Sequence, residues 1–148
     1  MFKHILIATD GSELADKAVL EGLALAKALN AKATAVTVTE PWDALSMAAI
    51  AEAQMRNPIA DYEQRMAAAA NRILRSVAEK ATELNVPCAT VHVKDRHPAE
   101  GIIETAQAQM CDLIVMASHG RRGLARLLIG SQANRDVTLS PVPVLICR

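Results

Sequence analysis

The sequence predicts an α/β protein built on an open five-stranded parallel sheet with helices on both faces. Three observations carry this. Five short apolar runs rich in Val and Ile recur along the chain. Helical patterns separate them, and strand–helix alternation of this kind implies a parallel sheet covered on both sides. The chain's 148 residues, 51% of them hydrophobic, supply one core, so residues 1–148 are expected to form a single domain.

The first run is Ile5 to Thr9. A helix follows with Ser12 as its N-cap and Glu13 and Asp16 in or near its first turn; it buries Ala18, Gly22, Ala26 and Leu29 and stops at Asn30. Ala33 to Thr39 is the second strand. The segment from Pro41 to Asn57 stands apart, because it holds the only Trp (Trp42) with Met47, Ile50 and Met55 at weak helical periodicity. It reads as a surface excursion closing the sheet edge, or as a partly helical flap over a ligand. The longest helix places Ile59, Tyr62, Met66, Ala69, Ile73, Val77 and Leu84 on one face, with Arg65, Arg72, Arg75 and Glu79 opposite. Ala89 to Val93 is the third strand, and Pro98 opens a helix through Ile102, Ile103 and Ala106. Leu113 to Ala117 and Val142 to Cys147 complete the sheet.

Composition narrows the function classes. Sixteen basic and sixteen acidic side chains cancel, so no global field draws the chain to nucleic acid or an anionic membrane. Cys88, Cys111 and Cys147 are odd in number and lack zinc-ligand spacing, as buried thiols would be. No apolar run approaches the ~20 residues that span a bilayer. The opening apolar run is too short for a secretory signal, so a cytoplasmic location is expected. His4 and His92, each beside apolar strand residues, read as structural histidines.

Chemistry concentrates at two places. Met116-Ala117-Ser118-His119-Gly120, followed by Gly130-Ser131, joins an apolar strand to a helix through a basic, glycine-bounded loop. Arg121, Arg122 and Arg126 lie there with no acidic residue from Ser118 to Asn134, an arrangement that suits a bound phosphate. The glycines also read simply as a tight turn. Asp10 ends the first strand and could accept hydrogen bonds from a ribose hydroxyl or a base amino group, although Asp10-Gly11-Ser12 equally reads as an Asx turn and helix cap. In an open parallel sheet ligands sit beyond the carboxyl ends of the strands where the strand order reverses, and there the two features would meet. Gly130 is followed by no Lys-Ser or Lys-Thr, so the loop is not a Walker motif. Only Asp10 and His119 offer themselves as hydrolytic groups. Lys94-Asp95-Arg96-His97-Pro98 reads as a solvated turn before a helix.

Over almost its full length the chain resembles the universal stress protein family. The resemblance rests on the stretch from Ile5 to Ser12, on His97-Pro98-Ala99-Glu100-Gly101-Ile102, on the stretch from Ile114 to Gly123, on Leu128-Ile129-Gly130-Ser131 and on Pro141 to Ile146. It implies a Rossmann-like five-stranded fold, a homodimer and, for one branch of the family, ATP binding. That branch carries glycine, two residues, glycine, nine residues, then glycine with serine or threonine. Here Gly120, Gly130 and Ser131 match while Ala117 replaces the first glycine, an exchange that fits a position of negative φ. Asp95-Arg96 stands where many ATP-binding relatives have a glycine. The implied site takes in Thr9, Asp10 and the backbone at Val38 around the adenosine, Met116 and Ala117 along the nucleotide, and His119, Gly120, Arg121, Gly130, Ser131 and Gln132 around the phosphates. Magnesium is the metal such phosphates would bring.

The last strand bears on assembly. Pro143 lacks an N–H, which places its strand at a sheet edge, yet Val142, Val144, Leu145 and Ile146 are too apolar to stay bare. A homodimer through that strand is expected. The expected function is a stress-linked binding or signalling module for ATP. The alternatives are a slow ATP hydrolase or phosphotransferase assisted by Asp10 or His119, and a protein-interaction adaptor that uses Trp42 to Met55.

Overall fold

The computed structural model describes residues 1–54, 57–118 and 140–148. Five parallel strands, β1 (His4–Ala8), β2 (Lys32–Thr39), β3 (Cys88–Lys94), β4 (Leu113–Ala117) and β5 (Val144–Cys147), form one sheet in the order β3-β2-β1-β4-β5. Four helices accompany them among the described residues: α1 (Glu13–Leu29), α2 (Ala44–Gln54), α3 (Pro58–Glu83) and α4 (Pro98–Ala108).

The central strand explains the continuous apolar run that opens the chain. Ile5 and Ile7 enter a cluster with Val19, Leu23, Leu74 and Val77 of α1 and α3. Leu6 and Ala8 enter a second cluster with Ile102 and Ala106 of α4. Period-two alternation thus feeds both faces, and each fully buried Ile or Leu contributes about 1.5–3 kcal/mol. His4 begins this strand at 6% exposure, and its Nε2 lies 2.8 Å from Oγ1 of Thr34 on β2. His92 is matched likewise, its Nε2 2.7 Å from Oγ1 of Thr39. Both are structural histidines with partners.

Helix ends fall where capping chemistry put them. Ser12 Oγ accepts from the N–H of Ala15 at 3.2 Å, and Asn30 closes α1 in the left-handed conformation at φ 52°. Pro98 stands in the first turn of α4. Asn57 caps α3 by accepting from the N–H of Ala60 at 3.3 Å. The Pro41–Asn57 excursion contains α2, which packs against α3 and leaves Leu45 82% exposed.

Two sequence expectations are corrected, and a third is widened. The expected face of α3 turns inward, from half-buried Ile59, Tyr62, Met66, Ala69 and Ile73 to buried Val77, with Arg65, Arg72, Arg75 and Glu79 exposed; it is wider than expected, because Ala70, Leu74 and Ala81 are buried beside it. Leu29 is only half-buried. The last strand starts at Val144 rather than Val142, because 140–143 form a turn in which the Val142 N–H donates to Ser140 Oγ at 3.2 Å. Val142 itself is buried in the α4-side cluster and leaves the free edge to Val144, Leu145 and Ile146.

Candidate functional site

The chain runs outward from β1 to β2 and β3, then returns to lay β4 and β5 on the other side of β1. The strand order therefore reverses between β1 and β4, the place where open α/β sheets bind ligands. At this switch point β1 is outrun by both neighbours. Its register with β4 ends at Ile7 and Val115, whereas β4 stays paired with β5 as far as Ala117 and Cys147. Its register with β2 ends at Ala8 and Val36, whereas β2 stays paired with β3 as far as Thr39 and Lys94. A notch opens above the end of β1, walled by β2 on one side and β4 on the other.

Backbone polarity follows from the ladder. The N–H of Thr9 donates to the C=O of Val36 at 3.0 Å, so Val36 turns its polar groups toward β1. Alternation turns the N–H and C=O of Val38 the same way, past the last β1–β2 bond. Thr39 faces β3, where its C=O receives a long bond of 3.4 Å from the N–H of Arg96. On the opposite wall the N–H of Ser118 donates to Cys147 C=O at 2.8 Å. Ala117 accordingly turns its backbone groups toward the β1 side.

The floor of the notch is a stiff turn. Thr9, 4% exposed, accepts from the N–H of Gly11 at Oγ1 (3.1 Å), and Asp10 Oδ1 accepts from the N–H of Ser12 (2.9 Å). Gly11 has φ +76°, and a Cβ on it would stand 2.7 Å from Cγ1 of Ile73. Both the left-handed backbone and the contact require glycine here. The Asx turn and helix cap read from Asp10-Gly11-Ser12 are present, and they hold the Asp10 carboxylate at the switch point.

The structure brings Thr9, Asp10, Val38, Met116 and Ala117 together around the notch. Met116 is 1% and Ala117 0% exposed, with their side chains in the two core clusters; alternation turns the backbone groups of Ala117 toward β1 and those of Met116 toward β5. Ala117 lies in β4 outside the residues of positive φ, and its methyl is absorbed by the α1-side core. The alanine-for-glycine exchange is thereby accommodated. His119, Gly120, Arg121, Gly130, Ser131 and Gln132 lie outside the described residues.

Asp95 adopts φ 56°, the backbone that a glycine would favour. Arg96 is drawn back along α4, with Nε 3.3 Å from Glu104 Oε2 and Nη1 donating to the C=O of Asp95 at 3.2 Å. The neighbouring His92 is held below its ordinary pKa by burial and by the charge of Lys94. All three cysteines are free thiols, and burial pushes Cys111 up to about 11 and Cys147 up to about 12, the latter also through Glu21. Neither buried thiol serves as a nucleophile at neutral pH. Among the described residues no group of His, Cys, Asp and Glu is placed to hold a metal ion, and no helix is long and apolar enough to cross a membrane.

Sequence reasoning missed the residues that frame the notch from behind. Gly101 of α4 lies against Val38, where an added Cβ would meet Cγ2 at 2.9 Å. On the other face Tyr62 donates its hydroxyl to the C=O of Glu40 at 2.9 Å. Glycine at a helix position facing a strand is the one signal that pointed to the first contact.

A parallel sheet of this order, with a polar notch at its switch point, defines the chain as a Rossmann-like α/β protein. The family model described as "Universal stress protein family" matches residues 1–148, and the chain belongs to that family. A universal stress protein of Thermus aquaticus is 31% identical over 148 residues, covering 100% of both chains. One from Methanocaldococcus jannaschii is 30% identical over 148 residues, covering 100% of this chain and 83% of its own length. Among solved structures, a universal stress protein in complex with cAMP aligns at TM-score 0.69 and 25% identity, covering 99% of this chain and 97% of that one. A family member from Archaeoglobus fulgidus in complex with dAMP shares the fold at TM-score 0.66 and 14% identity, covering 100% and 98%.

Proposed function

We propose that the chain binds an adenine nucleotide, ATP, in the notch above β1 and acts in the cytoplasm as a homodimeric binding and signalling module. The observation that carries this reading is the strand order. It sets Asp10 between two strand ends, Val38 and Ala117, whose backbone groups turn toward the space above it. Two strand spacings, about 10 Å, separate those walls, and an adenine can enter edge-on. Its amino group and adjacent ring nitrogen are a donor and an acceptor that complement the C=O and N–H of Val38. Asp10 then accepts from the ribose. The solved relative with bound cAMP supports an adenine ligand for this fold.

The phosphate side of the proposal rests on the motif from Gly120 to Ser131, with magnesium on the phosphates. Binding rather than hydrolysis is the role that suits Asp10, whose Oδ1 already anchors the turn at Ser12. Protein purified gently and then denatured should release adenine nucleotide detectable by mass spectrometry, and calorimetry should show ATP binding. Asp10→Ala should weaken it roughly tenfold, the effect of one charge-assisted hydrogen bond. No released nucleotide, together with no heat at millimolar ATP, would sink the proposal.

A further inference from the structure

Helix α3 touches both sides of the notch. About three turns separate Tyr62 and Ile73 on this helix. Ile73 abuts Gly11, so closely that the turn tolerates no Cβ, and the next residue back is Asp10. Tyr62 reaches the exit of β2, where its O–H meets the C=O of Glu40 at 2.9 Å, two residues beyond Val38. No strand pairing fixes these two places to one another. The last bond between β1 and β2 is Thr9 N–H to Val36 C=O, and beyond it the two chains diverge, one into α1 and the other toward α2.

We propose that α3 is a positioning element for the nucleotide site: Ile73 seats the Asp10 turn, Tyr62 holds the β2 exit, and the helix between them sets the span between the two adenosine contacts. The proposal rests on the reading of the notch as an adenine-nucleotide site. A base held at Val38 and a ribose held at Asp10 bind as one rigid unit, so affinity depends on that distance being set before the ligand arrives. Release of one anchor costs affinity although neither residue touches the nucleotide. The packing of α3 on the sheet survives, because Leu74, Val77 and Ala81 hold the helix to the core.

Tyr62→Phe isolates the effect, since it removes the hydroxyl and keeps the ring. The expected result is about fivefold weaker ATP binding by calorimetry. Faster amide hydrogen exchange at residues 38–42 should accompany it, while the thermal midpoint moves by no more than a few degrees. Ile73→Ala should weaken binding by a similar factor, with faster exchange at residues 10–12. Ala81→Gly, which loosens α3 at its far end, should leave ATP affinity unchanged. If the wild type binds ATP and Tyr62→Phe binds it equally well, the positioning role is overturned and the nucleotide site stands. If Ala81→Gly weakens ATP as much as Tyr62→Phe does, general loosening of the helix is the cause and the role is again overturned. A wild type that binds no adenine nucleotide overturns the reading beneath the proposal, and the proposal with it.

Discussion

At the scale of single residues, buried polar groups are matched rather than avoided. His4 lies on the central strand at 6% exposure, and burial followed by the charge of Lys32 lowers its pKa, against the pull of the Gln109 backbone and of Asp112. Burial and Lys94 do the same to His92. In both cases the folded protein takes up the proton at lower pH than the unfolded chain, whose histidines titrate near 6.5. The unfolded state thus binds more protons once the pH drops below that value. The stability contributed by the neutral rings is complete above about pH 6.5 and is lost as the pH falls toward the folded-state values. Urea unfolding should therefore show a midpoint that declines as the pH falls below about 6.5. The decline should be shallower in His92→Asn, which removes one of the two groups. A midpoint that stays flat below that pH in the wild type would mean that the histidines are solvated in the folded state. Ala117 shows the same economy of contacts: its methyl fills core space, and its backbone groups turn toward the β1 side.

Elements are fixed by their ends and by their closest approaches, and these differ in how visible they are in a sequence. Ser12, Asn30 and Pro98 were readable because a cap acts on the few residues beside it. The edge position of the last strand was readable from Pro143, but the full strand order, and with it the notch formed by the shortness of β1, was not, since it depends on which strands pair across the molecule. Asp10 could be assigned to the end of β1, but Tyr62 and Ile73 are separated from the site by dozens of positions and looked like ordinary members of a helix face. The large residues of α3 mark its inward face, whereas Ala70 and Ala81, buried beside them, are too small to carry such a signal. Gly22 of α1 illustrates such a close approach. A Cβ there would meet Cδ1 and Cγ1 of Ile7 at 2.9 Å and Cγ1 of Val115 at 3.4 Å. Gly22→Ala gains about 1 kcal/mol of helix propensity. Ile7 and Val115 are wholly buried and have little room to yield, and overpacking costs about 1–3 kcal/mol. The net expectation is a loss of about 1 kcal/mol in denaturant unfolding, and a stabilised variant would show that α1 can shift outward to admit the methyl.

For the whole molecule, the open sheet leaves two edges whose chemistry differs. The outer edge at β3 carries Thr90, His92 and Lys94, polar side chains of the kind that discourage pairing between chains. The edge at β5 carries Val144, Leu145 and Ile146, with Leu145 41% exposed, and the preceding Pro143 offers no N–H. Its inner side is committed to β4, from Ile114 N–H on Pro143 C=O to Ser118 N–H on Cys147 C=O, so any further pairing uses the outer side. A two-fold axis beside β5 would bring the same apolar residues of two copies together, a self-complementary contact that closes on itself. The proposed homodimer follows from this contrast between the edges. Leu145→Asp sets a carboxylate at the centre of that contact, where two copies would place like charges together in an apolar seam. It should elute as a monomer in size-exclusion chromatography and sediment accordingly, while circular dichroism remains that of the wild type because the substituted side chain is already partly exposed. Thr90→Asp, on the β3 edge, should leave the dimer intact. The thermal midpoint of the wild type should rise with protein concentration, and that of Leu145→Asp should not. A Leu145→Asp protein that remains a dimer would move the interface away from β5 and leave its apolar edge without a role in assembly.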